Sequence, residues 1–264
     1  MTDILKVALR DVLEGALRWK LWTSLAWSNI RQRYVRTILG PFWLTISSGL
    51  FILAFGLIYS YLLKQDMHNY LPYITSGYLP WMLFSAFVTE SCTVFTAEQQ
   101  AIVNWQFSYS IFVYRMLWRN LIIFFHNLLI FFIVCIVYSK ALSWSILWLP
   151  VSLVLLSLNG LWLGLLLGTL CTRFRDIQPL VISGLQISMF VTPVFWNPEM
   201  LGNHRIALVD GNPLYHMIAI LRAPLLGESP STFSLTVCSA CAVVGMALAL
   251  VVYGRCRRRI PFWL

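Results

Sequence analysis

The chain has 264 residues, of which 59% are hydrophobic and only 11% carry charge, and its formal net charge is +9. Soluble domains usually carry charge on about a quarter of their residues, so this composition excludes an ordinary soluble protein and indicates a membrane protein. The cationic residues lie between apolar runs rather than on one soluble face. That distribution is typical of membrane-topology signals and not of a nucleic-acid binder.

Residues 1–36 predict an amphipathic helix and a connecting segment at the membrane surface. Apolar Leu5, Leu9 and Val12 share one helical face within residues 3–20, and the opposite face is charged. The charged residues of that face are Lys6, Arg10, Asp11, Glu14 and Arg18. Such a division is typical of a helix that lies in the membrane interface.

Six long stretches without charge follow, and each predicts a transmembrane helix, since a bilayer-crossing helix needs about 20 mostly apolar residues. The predicted helices lie near residues 39–63, 70–92, 119–139, 146–170, 178–196 and 232–254, within a membrane region of residues 37–254. A period-two alternation is missing, which argues against a β-barrel. The predicted fold class is therefore an all-α integral membrane protein in one domain, residues 1–264.

The Lys and Arg residues predict the orientation of the chain. With the N-terminus inside, the outer side holds Lys64, Lys140, Arg205 and Arg222, which leaves 15 of the 19 cationic residues in the cytoplasm. Both termini are therefore predicted to be cytoplasmic, and residues 255–264 form a basic tail there.

Two segments between the predicted spans have unusual composition. The cytoplasmic loop of residues 93–118 is fairly apolar and predicts a helix packed on protein. The outer segment of residues 197–230 contains four prolines and a short apolar piece, Leu214 to Leu221. That piece is too short to cross a membrane and too apolar to be solvated, so the segment predicts re-entrant half-helices between the fifth and sixth spans.

Catalytic and metal-binding motifs are sparse. None of the four lysines is preceded by glycine, so the phosphate-binding G-x-x-x-x-G-K-[ST] motif is missing. Cys238 and Cys241 have CxxC spacing, but the surrounding apolar run supplies no further ligands, and no metal site is predicted. His126 beside Asn127 leaves open a membrane-embedded acyltransferase, although interhelical hydrogen bonding is the commoner role of such residues. Glu90, within the second span, needs a partner or water.

Small and aromatic residues recur at helical spacing. Gly160, Gly164 and Gly168 share one face of the fourth span and predict close helix packing. Aromatic faces with hydroxyl and amide neighbours suit sugar rings, whose C–H faces stack while their hydroxyls bond, so the aromatic stripes predict a glycan path. The candidate path residues are Phe51, Phe55 and Tyr59 on the first span, Trp81 and Phe84 on the second, and Ser183, Gln186 and Phe190 on the fifth. Packing against lipid or core is the alternative for each of these rings.

Several motifs resemble a known family. They are RQRYVRTILGPFWL (31–44), YRMLWRNL (114–121), NGLWLG (159–164), RFRDI (173–177), NPLYH (212–216), RAPLLG (222–227) and the ending RRRIPFWL (257–264). From about residue 20 onward the chain resembles the permease subunits of type-2 ABC exporters for bacterial surface polysaccharides, and the O-antigen export branch best of all.

The resemblance implies a homodimer in the bacterial inner membrane, paired with two copies of a separate ATPase that binds ATP and Mg²⁺, while this chain holds no cofactor. It implies ATPase docking by two cytoplasmic elements, one within residues 98–112 that includes Asn104 and Trp105, and one formed by Arg173, Phe174, Arg175 and Asp176. It implies that the 197–230 half-helices form an outer gate, with Trp196, Pro198, Pro213, Tyr215, His216 and Arg222 as the candidate gate residues.

The implied substrate is an undecaprenyl-diphosphate-linked polysaccharide. Arg31, Arg33 and Arg36 are candidate contacts for the diphosphate at the cytoplasmic entrance, with anchoring to the membrane surface as the alternative role. A capsule, teichoic acid or drug exporter of the same type, the acyltransferase and a passive channel are the competing functions.

Overall fold

The computed structural model describes residues 2–34, 40, 42–62, 64–104, 108–141, 143–199 and 209–264. Throughout those residues the protein is built of helices joined by turns. The helices are α1 (Thr2–Leu17), α2 (Trp19–Tyr34), α3 (Phe42–Leu62), α4 (Met67–Ser91), α5 (Gln99–Asn104), α6 (Ser110–Val137), α7 (Leu149–Arg173), α8 (Ile177–Val191), α9 (Pro213–Leu226), α10 (Thr232–Cys256) and α11 (Ile260–Trp263). The all-α prediction is confirmed for these residues.

Within the described residues, four stretches are long and apolar enough to cross a membrane: Thr45–Leu62, Ser110–Val137, Trp144–Arg173 and Thr232–Trp263. The other two predicted spans correspond to α4 and α8. α4 is a 25-residue helix that includes Pro72 and Pro80. α8 has 15 residues, which extend about 22 Å at 1.5 Å per residue and so fall short of the hydrocarbon core of about 30 Å.

Two predicted helix boundaries are wrong, each for a physical reason. The third span begins at Ser110 rather than near residue 119, because the charges of Arg115 and Arg119 are paired with Glu98 and Glu90 instead of ending the helix. The fifth span ends at Val191 rather than near residue 196. Pro193 disfavours helical backbone at the residue before it, and Thr192 is extended there.

The glycine face of α7 allows three neighbouring segments to approach closely, as predicted. A Cβ at Gly160 would lie 2.8 Å from the Phe87 ring of α4, and one at Gly164 would lie 2.4 Å from Val113 of α6. A Cβ at Gly168 would lie 2.6 Å from Val94. These contacts place α7 at the centre of the packing, where it also lies along α10.

The N-terminal helix α1 packs on one end of the bundle through a buried carboxylate. Asp11, predicted to lie on the polar face, is 3% exposed, because it accepts hydrogen bonds from the backbone N–H groups of Tyr109 (3.2 Å) and Ser110 (3.0 Å) at the start of α6. Arg257, just past α10, pairs with the same carboxylate at 2.6 Å. Asp11 therefore joins the two termini to α6, where a negative charge also complements the helix dipole.

We expect Asp11→Ala to lower the free energy of unfolding by about 1–3 kcal/mol, because two buried N–H groups and Arg257 would lose their acceptor. Arg10→Ala is the matched control, since Arg10 forms an exposed i,i+4 pair with Glu14 on the same helix and should contribute about 0.5 kcal/mol or less. Unfolding of both variants in detergent measures the difference. Equal losses would contradict the anchoring role of Asp11.

Candidate functional site

An unwound stretch, Thr192–Trp196, follows α8 and is held by the buried guanidinium of Arg222 on α9. Arg222 donates to the carbonyl oxygens of Pro193 (2.7 Å) and Val194 (3.0 Å) and to the Tyr73 hydroxyl (3.1 Å). Its guanidinium also lies over the Tyr73 ring, 4.6 Å from the centroid. The planar fork of Arg can serve several acceptors at once, which a Lys ammonium in the same place would not match.

Two tyrosines of α4 bond the next two carbonyl groups of this stretch. Tyr70 donates to the carbonyl of Phe195 at 2.5 Å, and Tyr73 donates to that of Trp196 at 3.0 Å. Four consecutive carbonyls, from 193 to 196, thus each accept from a side chain. Non-helical backbone at membrane depth is tolerated only where protein or water satisfies it, and here three side chains supply the bonds.

The remaining predicted gate residues surround α9. His216 is buried, with Nδ1 2.9 Å from the Ser234 hydroxyl and Nε2 2.9 Å from the Asp210 carbonyl. Pro213 begins α9 and Pro198 is buried. A cavity of about 330 Å³ lies among Tyr73, Asn197, Pro198, Glu199, Tyr215, Ala219, Arg222, Ala223, Leu226 and Glu228. α9 has 14 residues, about 21 Å, too short to span. Residues 200–208 of the predicted half-helix segment, 197–230, lie outside the described residues.

The predicted aromatic residues of α3 form a continuous stack. Phe51 and Phe55 have ring centroids 4.1 Å apart, and Phe55 and Tyr59 are 5.8 Å apart. Two rings that the sequence analysis missed complete it: Tyr78 lies 4.6 Å from Phe51, and Phe195 lies 5.1 Å from Phe55. We call these five rings the aromatic ladder. It joins α3 to α4 and to the unwound stretch after α8.

The other predicted path residues divide by burial. Trp81 and Phe84 are each 4% exposed and lie in the hydrophobic core, so we exclude them from the candidate path. The face of α4 that carries these two rings was predicted to line the path, and it packs against the rest of the bundle instead. Ser183, Gln186 and Phe190 are exposed on α8, a helix in which none of the 15 residues is buried.

The two predicted docking elements lie at the same end of the bundle, on either side of α11. Asn104 is exposed at the end of α5, and Arg173, Phe174, Arg175 and Asp176 are exposed where α7 turns into α8. Trp105 lies outside the described residues. The C-terminal helix α11 contacts both α5 and α7, and Arg173 lies over the rings of Phe174 (4.9 Å) and Trp263 (5.3 Å).

The candidate diphosphate contacts are only partly described. Arg31 is exposed near the end of α2. The side chain of Arg33 and the whole of Arg36 lie outside the described residues.

Glu90 and His126, two polar residues predicted to lie within the spans, have different surroundings. Glu90 accepts from Arg119 at 2.6 Å and from Asn120 at 2.5 Å, so its charge is paired as its depth requires. His126 contacts the Phe42 ring edge-on, with centroids 5.9 Å apart, and its Nδ1 has no hydrogen-bond partner among the described residues. The acyltransferase hypothesis required a second polar group beside His126, and the described contacts give it an aromatic ring instead.

Sequence analysis also missed the three residues of α4 that receive the outer segment. Tyr70, Tyr73 and Gly77 are spaced three and four residues apart and so share one helical face. The sequence pattern that could have identified this face is a glycine beside two tyrosines, because a residue without a Cβ leaves room for a side chain from another helix. That group is the Arg222 guanidinium, since a Cβ at Gly77 would lie 1.8 Å from its Nη2 atom.

We expect Gly77→Ala to destabilise the protein by about 1–3 kcal/mol, as overpacking does, because the methyl group would displace Arg222 from Pro193 and Val194. Gly49→Ala is the matched control in another membrane helix, where a Cβ would meet only Ile130 at 4.0 Å. Melting temperatures in detergent compare the two variants. If Gly77→Ala melted with or above Gly49→Ala, the close fit of Arg222 against α4 would be refuted.

Comparison with known proteins gives one family for this chain. The family model described as ABC-2 type transporter matches residues 20–226. The O-antigen export system permease protein RfbA of Myxococcus xanthus is 24% identical over 205 residues, which cover 77% of this chain and 79% of that protein. The protein of the same name from Klebsiella pneumoniae is 23% identical over 191 residues, covering 72% of this chain and 74% of that protein. Since the family match covers well over half of the chain, the protein belongs to the ABC-2 type transporter family.

Proposed function

We propose that this chain is the transmembrane subunit of an ATP-driven exporter that moves a lipid-linked polysaccharide, of the O-antigen class, across the bacterial inner membrane. The observation that carries the proposal is the aromatic ladder beside the polar stripe of α8, in a member of a transporter family whose relatives named above are O-antigen export permeases. A sliding glycan needs many weak, replaceable contacts. Shared stacking on several rings supplies them better than one deep pocket.

The subunit acts as a homodimer with the path between its two copies. Support comes from α8, whose Ser183, Gln186 and Phe190 are exposed together on a helix with no buried residue. Lipid is a poor surrounding for the exposed hydroxyl of Ser183 and the amide of Gln186, which favours a second copy or a water-filled path against this helix. The half-buried rings of Phe55 and Tyr59 on α3 reach the outer end of α8 through Phe195, so α3 and α8 together border the path.

Energy comes from a separate nucleotide-binding subunit that carries ATP and Mg²⁺, two copies to each dimer. This proposal is supported by the missing phosphate-binding motif and by the exposed cluster of Asn104 and Arg173–Asp176 at one end of the bundle. Both termini lie on that cytoplasmic side, in agreement with the bias of Lys and Arg. The carrier is undecaprenyl diphosphate, met at the entrance by Arg31, Arg33 and Arg36.

The outer gate is the unwound stretch of Thr192–Trp196 together with α9. Support comes from the hydrogen bonds of Arg222, Tyr70 and Tyr73, which hold the stretch in place. A gate held by hydrogen bonds to carbonyl groups can exchange hydrogen-bond partners as it moves. A tightly packed apolar segment that moved would instead lose its van der Waals contacts and leave an empty cavity behind.

Charge reversal at the docking turn tests the proposed function. We expect Arg175→Glu to reduce recovery of the nucleotide-binding subunit with the permease, and to reduce glycan export in cells that lack the native gene, because it reverses an exposed charge at the docking surface. Membrane insertion and stability should stay at the wild-type level. Lys64→Glu, an exposed charge reversal on the opposite side, is the control.

Normal association and export by the Arg175→Glu variant would exclude this turn as the coupling site. Failure of the wild-type chain to restore export of any surface polysaccharide would exclude the proposed function itself.

Alanine substitutions separate path residues from core residues. Phe190 is 60% exposed and Phe84 is 4% exposed, so Phe190→Ala should slow export with little change in melting temperature. Phe84→Ala should instead destabilise the protein by about 3–5 kcal/mol, as is typical of a buried ring. Export in cells and thermal unfolding in detergent are measured side by side. A Phe190→Ala variant that loses stability and export in proportion would contradict a path role.

A further inference from the structure

The C-terminal helix α11 is fixed on the cytoplasmic end of the bundle with one aromatic ring directed outward. Ile260 is fully buried and Phe262 is 87% exposed. Trp263 is half-buried and lies under the guanidinium of Arg173. Two of the residues in this turn therefore hold it in place, and Phe262 is presented to the surroundings as a rigidly mounted ring.

α11 follows the part of the chain that packs against α1. A Cβ at Gly254 of α10 would lie 2.6 Å from the Ile4 carbonyl oxygen and 3.2 Å from the Ala8 Cβ atom, so α1 crosses α10 at that residue. Asp11 then binds Arg257, three residues further on. α11 begins three residues after Arg257, and it contacts α5 and α7.

The surroundings of Phe262 have the composition of a protein interface. Val103 on α5 is 56% exposed and Phe174 is 50% exposed, while Arg258 and Arg259 are exposed beside α11. Aromatic residues and Arg are enriched at the centres of protein interfaces, and a few such residues supply most of the binding energy. Exposed apolar side chains beside four arginines, counting Arg173 and Arg175, suit a partner with an apolar pocket and an acidic rim.

We propose that α11 is a third docking element for the nucleotide-binding subunit, with Phe262 as its anchor. The inference rests on the proposed function, because it adds α11 to the surface formed by α5 and the 173–176 turn. Continuity decides the occupant: α11 contacts both elements, and Arg173 of the turn covers its Trp263. A membrane surface would also attract arginines and aromatic rings, but α11 is packed on α5 and α7, beside the two elements to which the subunit is proposed to dock.

The test uses the full-length permease in nanodiscs of phosphatidylcholine and the purified nucleotide-binding subunit encoded beside it. We expect Phe262→Ala and Phe262→Asp to raise the Kd about fivefold or more, as loss of an interface anchor does, with an unchanged melting temperature. Phe125→Ala, which removes an aromatic ring that is 51% exposed on α6, away from α11, should leave the Kd unchanged.

A photoreactive amino acid at position 262 identifies the occupant directly. A cross-link to the nucleotide-binding subunit would support the proposal, and a cross-link to lipid would overturn it in favour of a membrane anchor. If Arg175→Glu weakens binding while both Phe262 variants bind as the wild type does, α11 is not a docking element and the proposed function stands. If the wild-type permease does not bind the subunit at all, both proposals fail.

Discussion

Buried backbone carbonyl groups cannot be left without donors, and the part of this protein around residues 192–196 is arranged to meet that constraint. Pro193 ends α8 early, and the stretch that follows has carbonyl oxygens that no helix satisfies. Arg222, Tyr70 and Tyr73 supply the donors for residues 193–196. Leaving a buried acceptor without a partner costs about 1–3 kcal/mol, so these side chains decide whether the unwound stretch can exist.

Placing Arg222 in this role makes demands on its neighbours. A buried cation needs compensation, and Arg222 receives it from two carbonyl oxygens, a phenol oxygen and the face of the Tyr73 ring. The guanidinium also needs space, which only a residue without a Cβ provides at position 77. The stretch held in this way ends in Phe195, whose ring stacks on Phe55. One arginine thus positions both the outer segment and the end of the aromatic ladder.

Hydropathy and charge could predict the spans, because the lipid imposes length and composition on each helix separately. Hydropathy and charge could not predict which side chains pair between different helices. The start of α6 was misplaced since Arg115 and Arg119 are charged, and only the folded chain brings Glu98 and Glu90 to them. Asp11 was predicted to lie on an exposed polar face because its partners, at the start of α6 and after α10, are distant in the sequence. The sequence predicted only the α3 rings of the aromatic ladder, because they are four residues apart. Tyr78 and Phe195 join the ladder from distant parts of the chain.

α4 connects the two ends of the molecule as one continuous helix, Met67–Ser91. Its outer end bonds the carbonyls of Phe195 and Trp196 through Tyr70 and Tyr73, and its inner end holds Arg119 through Glu90. Residues 92–98 then lead from α4 into α5, which is part of the proposed docking surface. If a nucleotide-binding subunit docks there as proposed, this short connection joins its binding surface to α4. Because Tyr70 and Tyr73 of α4 bond the carbonyl groups of Phe195 and Trp196, movement of α4 along its axis would pull directly on the stretch proposed as the gate.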